Sequence, residues 1–364
     1  SLVLDALKLL ANAKRPIIVA GGGITASGAE KELLDFAEKL SIPVATALNA
    51  KTAIPWDHHL SIGVPGNYSR ECANKLLCQA DMVFFIGSHT GGQVTHDWRI
   101  PPAGTDVIQL DINPAELGRS YPIKLGMQGD AKASLRKMIE QAESTSPSKQ
   151  WLSSVKKHVS DWREEVSQYV DSEEIPMRPE RLCREISDAM PSDTVLVSDT
   201  GHSGVWTASM VDFKHPDQSF LRCAGSLGWG IPAAIGAKCA VPERPVVCFT
   251  GDGGVYYHVT ELDTALRFGI NPVIVVNNNS SLNQEQGGVE GIYGARTKLT
   301  DEKWMLSELD FDKVAESLGC FGIQVKKPSE FEGALDQALK SGKPAIIDVK
   351  THIDGIAPGA WLPK

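Results

Sequence analysis

Short, near-continuous apolar runs alternate with helix-period stretches along almost the whole chain. In the first half, Pro16–Ala20, Pro43–Leu48, Met82–Gly87 and Val107–Ile112 read as strands, with helices expected over Gly28–Leu40 and Ser69–Ala80. A strand with one wet face would alternate apolar and polar residues. These runs do not, so helices are expected to cover both faces of a parallel sheet. The second half repeats the pattern with strands at Val195–Ser198, Pro245–Thr250, Val273–Val276 and Ala345–Val349. Between the halves the texture changes: "STSPSKQ" has linker composition, "WLSSVKKHVSDWREEVSQYV" is a long charged amphipathic helix, and "EEIPMRPERL" supplies prolines and a new helix start. The expected fold is therefore α/β. Two doubly wound parallel-sheet domains span 1–143 and 179–364, joined by a linker and helix over 144–178. At 364 residues the chain is long enough for two cores of ordinary size.

The bulk numbers exclude some functions. A net charge of −9 argues against a nucleic-acid partner, which would want a basic patch. No apolar run approaches the roughly 20 residues needed to span a bilayer, so no membrane role is expected. The N-terminal "SLVLDALKLL" is amphipathic and carries an acid, unlike a secretory signal. Seven cysteines without a CxxC spacing argue for a reduced, cytoplasmic compartment and against a disulfide framework or zinc site.

Chemistry concentrates where strands end. "GDGG" (251–254) places Asp252 at the C-terminal end of a buried strand, where open α/β sheets bind ligands. The next strand ends in three asparagines, "VIVVNNNSSLNQEQ", and emerges on the same sheet edge. Asp252 alone could be a helix cap, and the asparagines alone a polar loop. Together they offer hard oxygen ligands suited to Mg²⁺ shared with a phosphate, and Gly253 and Gly254 let backbone N–H groups approach that phosphate. "AGGGITASGAE" (20–30) and "GSHTGGQ" (87–93) are ambiguous: each could hold a nucleotide phosphate or be a tight strand-to-helix connection, and neither has a clean GxGxxG.

On these motifs the chain resembles the thiamine diphosphate enzymes of the acetolactate synthase, benzoylformate decarboxylase and oxalyl-CoA decarboxylase type. Their signature is Gly-Asp-Gly followed by an Asn pair a little under thirty residues on; here Asp252 to Asn279 is 279 − 252 = 27 positions. The resemblance implies Mg²⁺ held by Asp252, Asn279 and the backbone carbonyl of Ser281. The three asparagines leave the register open by one residue; Asn278–Asn279 is preferred because the preceding strand then has the usual length. "AGSLGWGIPAAIGAK" (224–238) is similar to the segment that passes under the cofactor. It implies that Gly225 meets the aminopyrimidine, with Ser226 beside it, and that Leu227 wedges the cofactor into its bent form. "SDTGHSGVWT" (198–207) resembles the loop that bonds the diphosphate, through Gly201, His202 and Ser203, although His202 could be an exposed turn histidine. Gly251, Asp252, Gly253, Gly254, Asn279, Ser281 and Leu282 complete the implied cofactor set. Gln284 and Glu285 fall where related decarboxylases face the thiazolium; Glu285 is either a proton-handling acid in an apolar cleft or a solvated loop acid.

The first half resembles the central domain of the same enzymes, closest to acetolactate synthases. Some relatives bind FAD or ADP there. Where flavin-binding relatives carry an Arg after the glycine ending the third strand, this chain has Ser88, which counts against FAD, so the alternatives here are a bound FAD or ADP and a vestigial, empty domain. No Glu here matches the glutamate that meets the pyrimidine. The expectation is a partner small subunit carrying a pyrimidine-binding domain, in a hetero-oligomer such as a dimer of heterodimers, unless that domain was removed from the chain. The resemblance implies decarboxylation of a 2-oxo acid with carboligation, as in acetolactate synthase. The alternatives are simple decarboxylation, a noncatalytic cofactor-binding scaffold subunit, or, from the glycine turn at 21–23 alone, an NAD-dependent dehydrogenase. The tail "THIDGIAPGAW" is expected as a lid over the active-site mouth.

Overall fold

The computed structural model describes residues 1–144, 147–223, 225–294 and 296–363. Thr145 and Ser146 of the linker, and Ala224 at the head of the cofactor segment, lie outside them. The chain divides into two compact units, Ser1–Val166 together with the tail from Gly359, and Ser167–Pro358.

The first unit holds a six-stranded parallel sheet of β1 (Pro16–Ala20), β2 (Val44–Thr46), β3 (Ser61–Gly63), β4 (Met82–Ile86), β5 (Asp106–Asp111) and β6 (Leu125–Gln128) in the order β3-β2-β1-β4-β5-β6. The second holds β7 (Val195–Ser198), β8 (Ser219–Arg222), β9 (Val246–Gly251), β10 (Val273–Asn278), β11 (Phe321–Val325) and β12 (Ala345–Lys350) in the order β11-β12-β10-β9-β7-β8. All strand pairs are parallel. Both units are thus doubly wound α/β sheets, as the apolar runs dictate. The central strands β1, β4, β9 and β10 are buried along nearly their whole length, because helices cover both faces.

The eight expected strands are present. The four others, β3, β6, β8 and β11, are the two edges of each sheet. The helix expected over Gly28–Leu40 runs over Glu30–Leu40, and a separate short helix, Gly22–Ser27, precedes it and ends at Gly28, which takes a left-handed conformation (φ +59°). The helix Lys149–Val170 contributes Trp151 and Val155 to the core of the first unit, and Trp151 donates to the Pro16 carbonyl at 3.4 Å. The tail returns to that unit as well: Asn74 donates to the Trp361 carbonyl at 3.1 Å, and Leu362 packs on the same core. Among the described residues no helix is long and apolar enough to cross a membrane.

Candidate functional site

In the second sheet the chain leaves β7 for β8 on one side and later continues from β9 to β10 on the other. The C-terminal ends of β7 and β9 therefore flank a topological switch point, the crevice where open α/β sheets take ligands. Three loops meet there: 199–203 after β7, 251–254 after β9, and 279–282 after β10.

Asp252 opens the helix Asp252–His258 and is 3% exposed. Its Oδ1 accepts from the Gly253 N–H at 2.7 Å and its Oδ2 from the Ser281 N–H at 3.0 Å. Burial pushes its carboxyl up to about 6, against the downward pull of backbone N–H groups of Gly253, Ser281, Ser280 and Asn279. Among the described residues no basic side chain pairs with it. The Ser281 hydroxyl donates to Asn279 Oδ1 at 2.8 Å, so Asn279 stands within the same loop that wraps the carboxylate. Asn278 does not: its amide donates to Asp348 Oδ1 at 2.8 Å and to the Leu309 carbonyl at 2.9 Å. Asn277 is buried in β10 with its Oδ1 unpaired. A buried carboxylate without a cation, next to an amide oxygen, is a donor set that fits Mg²⁺.

Gly201 (φ +72°) precedes the helix His202–Ser209. A Cβ at Gly201 would sit 3.3 Å from Gln284 Oε1 and 3.7 Å from Leu227 Cδ1, so these three residues lie together. Gly251 faces the Ser203 hydroxyl, and Leu282 closes on Gly253, where an added Cβ would lie only 2.4 Å from Leu282 Cδ2. His202 is half-buried rather than an exposed turn residue, and its Nδ1 is buried with no hydrogen-bond partner. Such an orphaned polar atom beside the switch point fits an absent polar ligand. Gly225 (φ +118°) and Ser226 are exposed, with the Ser226 N–H directed at Cys223 Sγ (3.4 Å). Gln284 and Glu285 lie on an exposed 3₁₀ turn, Asn283–Glu285. Of the two readings left open for Glu285, a cleft acid and a solvated loop acid, the exposed position in this chain by itself matches the second.

Burial pushes the His202 imidazole down to about 4. The unfolded chain therefore binds the proton more readily, and stability must fall as pH drops from about 6.5 towards 4. The full penalty is on the order of 3 kcal/mol at the acid end. His202→Gln should lose less stability than wild type across that window and match its trend above pH 7. Urea unfolding of both proteins at a series of pH values checks this; parallel curves would refute it.

One site residue had no role in the sequence reading. Asp199, 2% exposed at the end of β7, accepts on Oδ1 from the N–H groups of Thr200 (2.7 Å) and Gly228 (3.0 Å), and on Oδ2 from the Thr250 hydroxyl (2.9 Å). The Gly230 N–H also bonds it, and burial raises its pKa despite these donors. It ties the β7 end, the 225–230 segment and the "GDGG" strand together. The signal was available: like Asp252, it is a lone acid at the end of an apolar run.

A second acidic group, Asp310, Asp312 and Asp348, has carboxylate oxygens within 4.8 Å of one another. The Lys350 ammonium bridges two of these acids, 2.9 Å from Asp348 and 3.2 Å from Asp310, with Lys313 on Asp310 as well, while Asp312 Oδ1 is buried without a partner. In the first unit the glycine turn is spent on packing: Gly23 donates to the Gly87 carbonyl at 2.9 Å, and a Cβ at Gly21 would fall 2.2 Å from that oxygen. Ser88 is buried beside it.

The comparisons with known proteins agree with this geometry. Residues 3–138 match the thiamine pyrophosphate enzyme central domain, and residues 199–349 match the thiamine pyrophosphate enzyme C-terminal TPP binding domain. The chain is 32% identical over 375 residues to a probable acetolactate synthase large subunit of Methanococcus aeolicus, covering 98% of this chain and 62% of the relative. It is 32% identical over 354 residues to the probable large subunit of Methanocaldococcus jannaschii, covering 94% and 58%. With the acetolactate synthase isozyme 3 large subunit of Escherichia coli it shares 29% over 357 residues, covering 96% and 61%. The chain thus spans about three fifths of the length of these relatives. Two adjoining domain matches and this span of similarity lead to one conclusion: the chain belongs to the thiamine pyrophosphate enzymes and carries their central and C-terminal cofactor-binding domains.

Proposed function

We propose that the chain holds the diphosphate end of thiamine diphosphate through Mg²⁺ and serves the decarboxylation of a 2-oxo acid with carboligation, in the manner of an acetolactate synthase. The observation that carries this reading is the uncompensated, buried Asp252 wrapped by the loop of Asn279 and Ser281 at a topological switch point. Asp252, Asn279 and the Ser281 carbonyl would hold the ion. Once the cation is bound, the charge that burial makes costly becomes favourable, so cofactor and metal would bind as one unit. His202, kept neutral by burial, can donate one ring N–H to a phosphate oxygen without a charged imidazolium having to be desolvated. Gly201 and Gly251 would leave the backbone open to that group, with the Ser203 hydroxyl facing Gly251; the Gly253 N–H is spent on Asp252, and Gly253 and Gly254 instead give room for Leu282 and Asp199 to close on the turn. Leu227, with Gly225 and Ser226 before it, would form the support beneath the cofactor, with Gln284 beside Leu227. When bound, thiamine diphosphate supplies the carbon nucleophile that 2-oxo acid cleavage requires.

The proposed reaction gives the pyrimidine end to a partner chain with its own glutamate, in a hetero-oligomer. Glu285, exposed here, could take up its proton-handling role only where such a partner covers it. The test mixes this chain with a pyrimidine-binding subunit, Mg²⁺, thiamine diphosphate and pyruvate. Acetolactate is the expected product. An aldehyde would assign simple decarboxylation, and Mg²⁺-dependent cofactor binding without turnover would leave only a scaffold.

A further inference from the structure

Of three consecutive asparagines, Asn277 and Asn278 end β10 and Asn279 follows it, and nothing in their identity says which should reach the metal loop. A slip of one residue along the sheet would exchange the faces of all three side chains. The structure contains a device that breaks this degeneracy. β10 pairs with β12 so that Val276 lies opposite Asp348 and Asn278 opposite Lys350. Residues two apart share a sheet face, so Asn278 falls on the face to which Asp348 points. Asp348, fully buried, takes the Asn278 amide on Oδ1 at 2.8 Å, while its Oδ2 accepts from the Phe311 N–H at 3.1 Å and pairs with Lys350 at 2.9 Å. The Leu309 carbonyl receives both the Asn278 amide and the Lys350 ammonium, each at 2.9 Å. The Asn278 side-chain oxygen Oδ1 is used too, accepting from the Ser280 N–H at 3.3 Å.

We propose that Asp348 is a positioning residue for the Mg²⁺ loop: by holding the Asn278 amide against β12, it fixes the register in which Asn279 stands beside Asp252. The inference rests on the proposed function, since it concerns the same metal loop. Its physical content is a difference in bond strength. Neither Asn277 nor Asn279 could meet the Asp348 carboxylate without turning to the opposite face. A buried charge-assisted bond, with the partly exposed Lys350 on the same carboxylate, therefore makes the observed register the one that leaves no ion stranded. Lys350 pairs with both Asp348 and Asp310, so a cation of the chain itself already stands at two of the three acids of that group. Ser280, at φ +55°, then turns the chain so that Ser281 delivers its N–H to Asp252.

The full chain is titrated with thiamine diphosphate at a series of Mg²⁺ concentrations, following intrinsic tryptophan fluorescence, with urea unfolding of each variant run in parallel. Wild type is expected to bind the cofactor only with Mg²⁺; binding indifferent to Mg²⁺ would overturn the proposed function itself, ahead of this inference. Asp348→Ala and Asn278→Ala should each raise the Mg²⁺ concentration for half-saturation tenfold or more. The double variant should be no worse than the poorer single one, because both act through one bond. Asp348→Asn, which retains an acceptor for the Asn278 amide, should return to within threefold of wild type. A purely structural role would lower the urea midpoint while leaving the Mg²⁺ midpoint unmoved. That result in either alanine variant, or additive losses in the double variant, overturns the assignment. Should Asp348→Ala fail to fold, the Mg²⁺ midpoints of Asn278→Ala and Asp348→Asn decide the question by themselves.

Discussion

Asp252→Asn is expected to abolish joint binding of Mg²⁺ and thiamine diphosphate and to make the cofactor-free protein more stable. The two effects have one cause. The carboxyl is 3% exposed and burial pushes its pKa up to about 6, from 3.8, so near neutral pH the fold carries its charge at a cost on the order of 3 kcal/mol. Asparagine removes that charge. It keeps an oxygen for the Gly253 N–H, but its new N–H₂ faces the Ser281 N–H, and the two donors conflict. That conflict returns about 1–2 kcal/mol. The net expectation is a gain of roughly 1–2 kcal/mol in urea unfolding with chelator present. With Mg²⁺ and cofactor the order reverses, because losing the anionic ligand of a buried ion costs about 2–5 kcal/mol, or roughly thirtyfold and more in affinity. A variant that is less stable than wild type in chelator, or that binds cofactor with unchanged Mg²⁺ dependence, would show that Asp252 is a helix cap and no metal anchor.

The legibility of this fold in its sequence follows burial. β1, β4, β9 and β10 are wholly or almost wholly buried, so their apolar runs are unbroken and plain to read. β3, β6, β8 and β11 sit at sheet edges, half in solvent, with sequences such as "LGMQ" and "SFLR" that carry no such run. An edge strand has one neighbour and a partly wet face, so its composition is set less by the core than by its partner. At the candidate site the same rule divides what could be read. Asp252 was legible because a charge closing an apolar run needs a reason. Asp199 meets the identical criterion and went unread, because it stood next to a glycine-histidine turn with an obvious use. In the sequence only strand length favours Asn279 over its neighbours as the metal ligand, since their roles are decided by Asp348, about seventy residues on in the chain but directly alongside in the sheet. Glu285 reads two ways in the sequence, as a cleft acid or a solvated loop acid; the chain puts it on an exposed turn, and burial by a partner surface leaves no mark in the sequence of one chain.

Asp199→Ala should be the most damaging single change to stability at the site, about 3–5 kcal/mol by urea unfolding. The carboxylate receives the Thr200 and Gly228 N–H groups, the Thr250 hydroxyl and the Gly230 N–H, all in a buried setting. Alanine strands those donors together, and each buried donor without a partner costs about 1–3 kcal/mol before the loops relax. Relaxation is restricted, because the surrounding glycines are fitted to the acid: a Cβ on Gly254 would lie 2.5 Å from the Thr250 hydroxyl and 2.7 Å from Asp199 Oδ2, and one on Gly230 would lie 3.1 Å from the same oxygen. The segment 225–230 should therefore loosen first, and cofactor affinity should fall along with stability although Asp199 touches no ligand in the proposed site. Asp199→Asn separates charge from connectivity. Its oxygen can keep the two N–H bonds of Thr200 and Gly228, and its amide can donate to the Thr250 hydroxyl, which is free to turn its own proton to the Gly251 carbonyl 3.2 Å away. That variant also sheds a buried charge, so its loss should stay within about 1 kcal/mol. If alanine and asparagine proved equally harmful, the charge itself would be what the site needs; if alanine cost under about 1 kcal/mol, the three loops would be held together by packing alone.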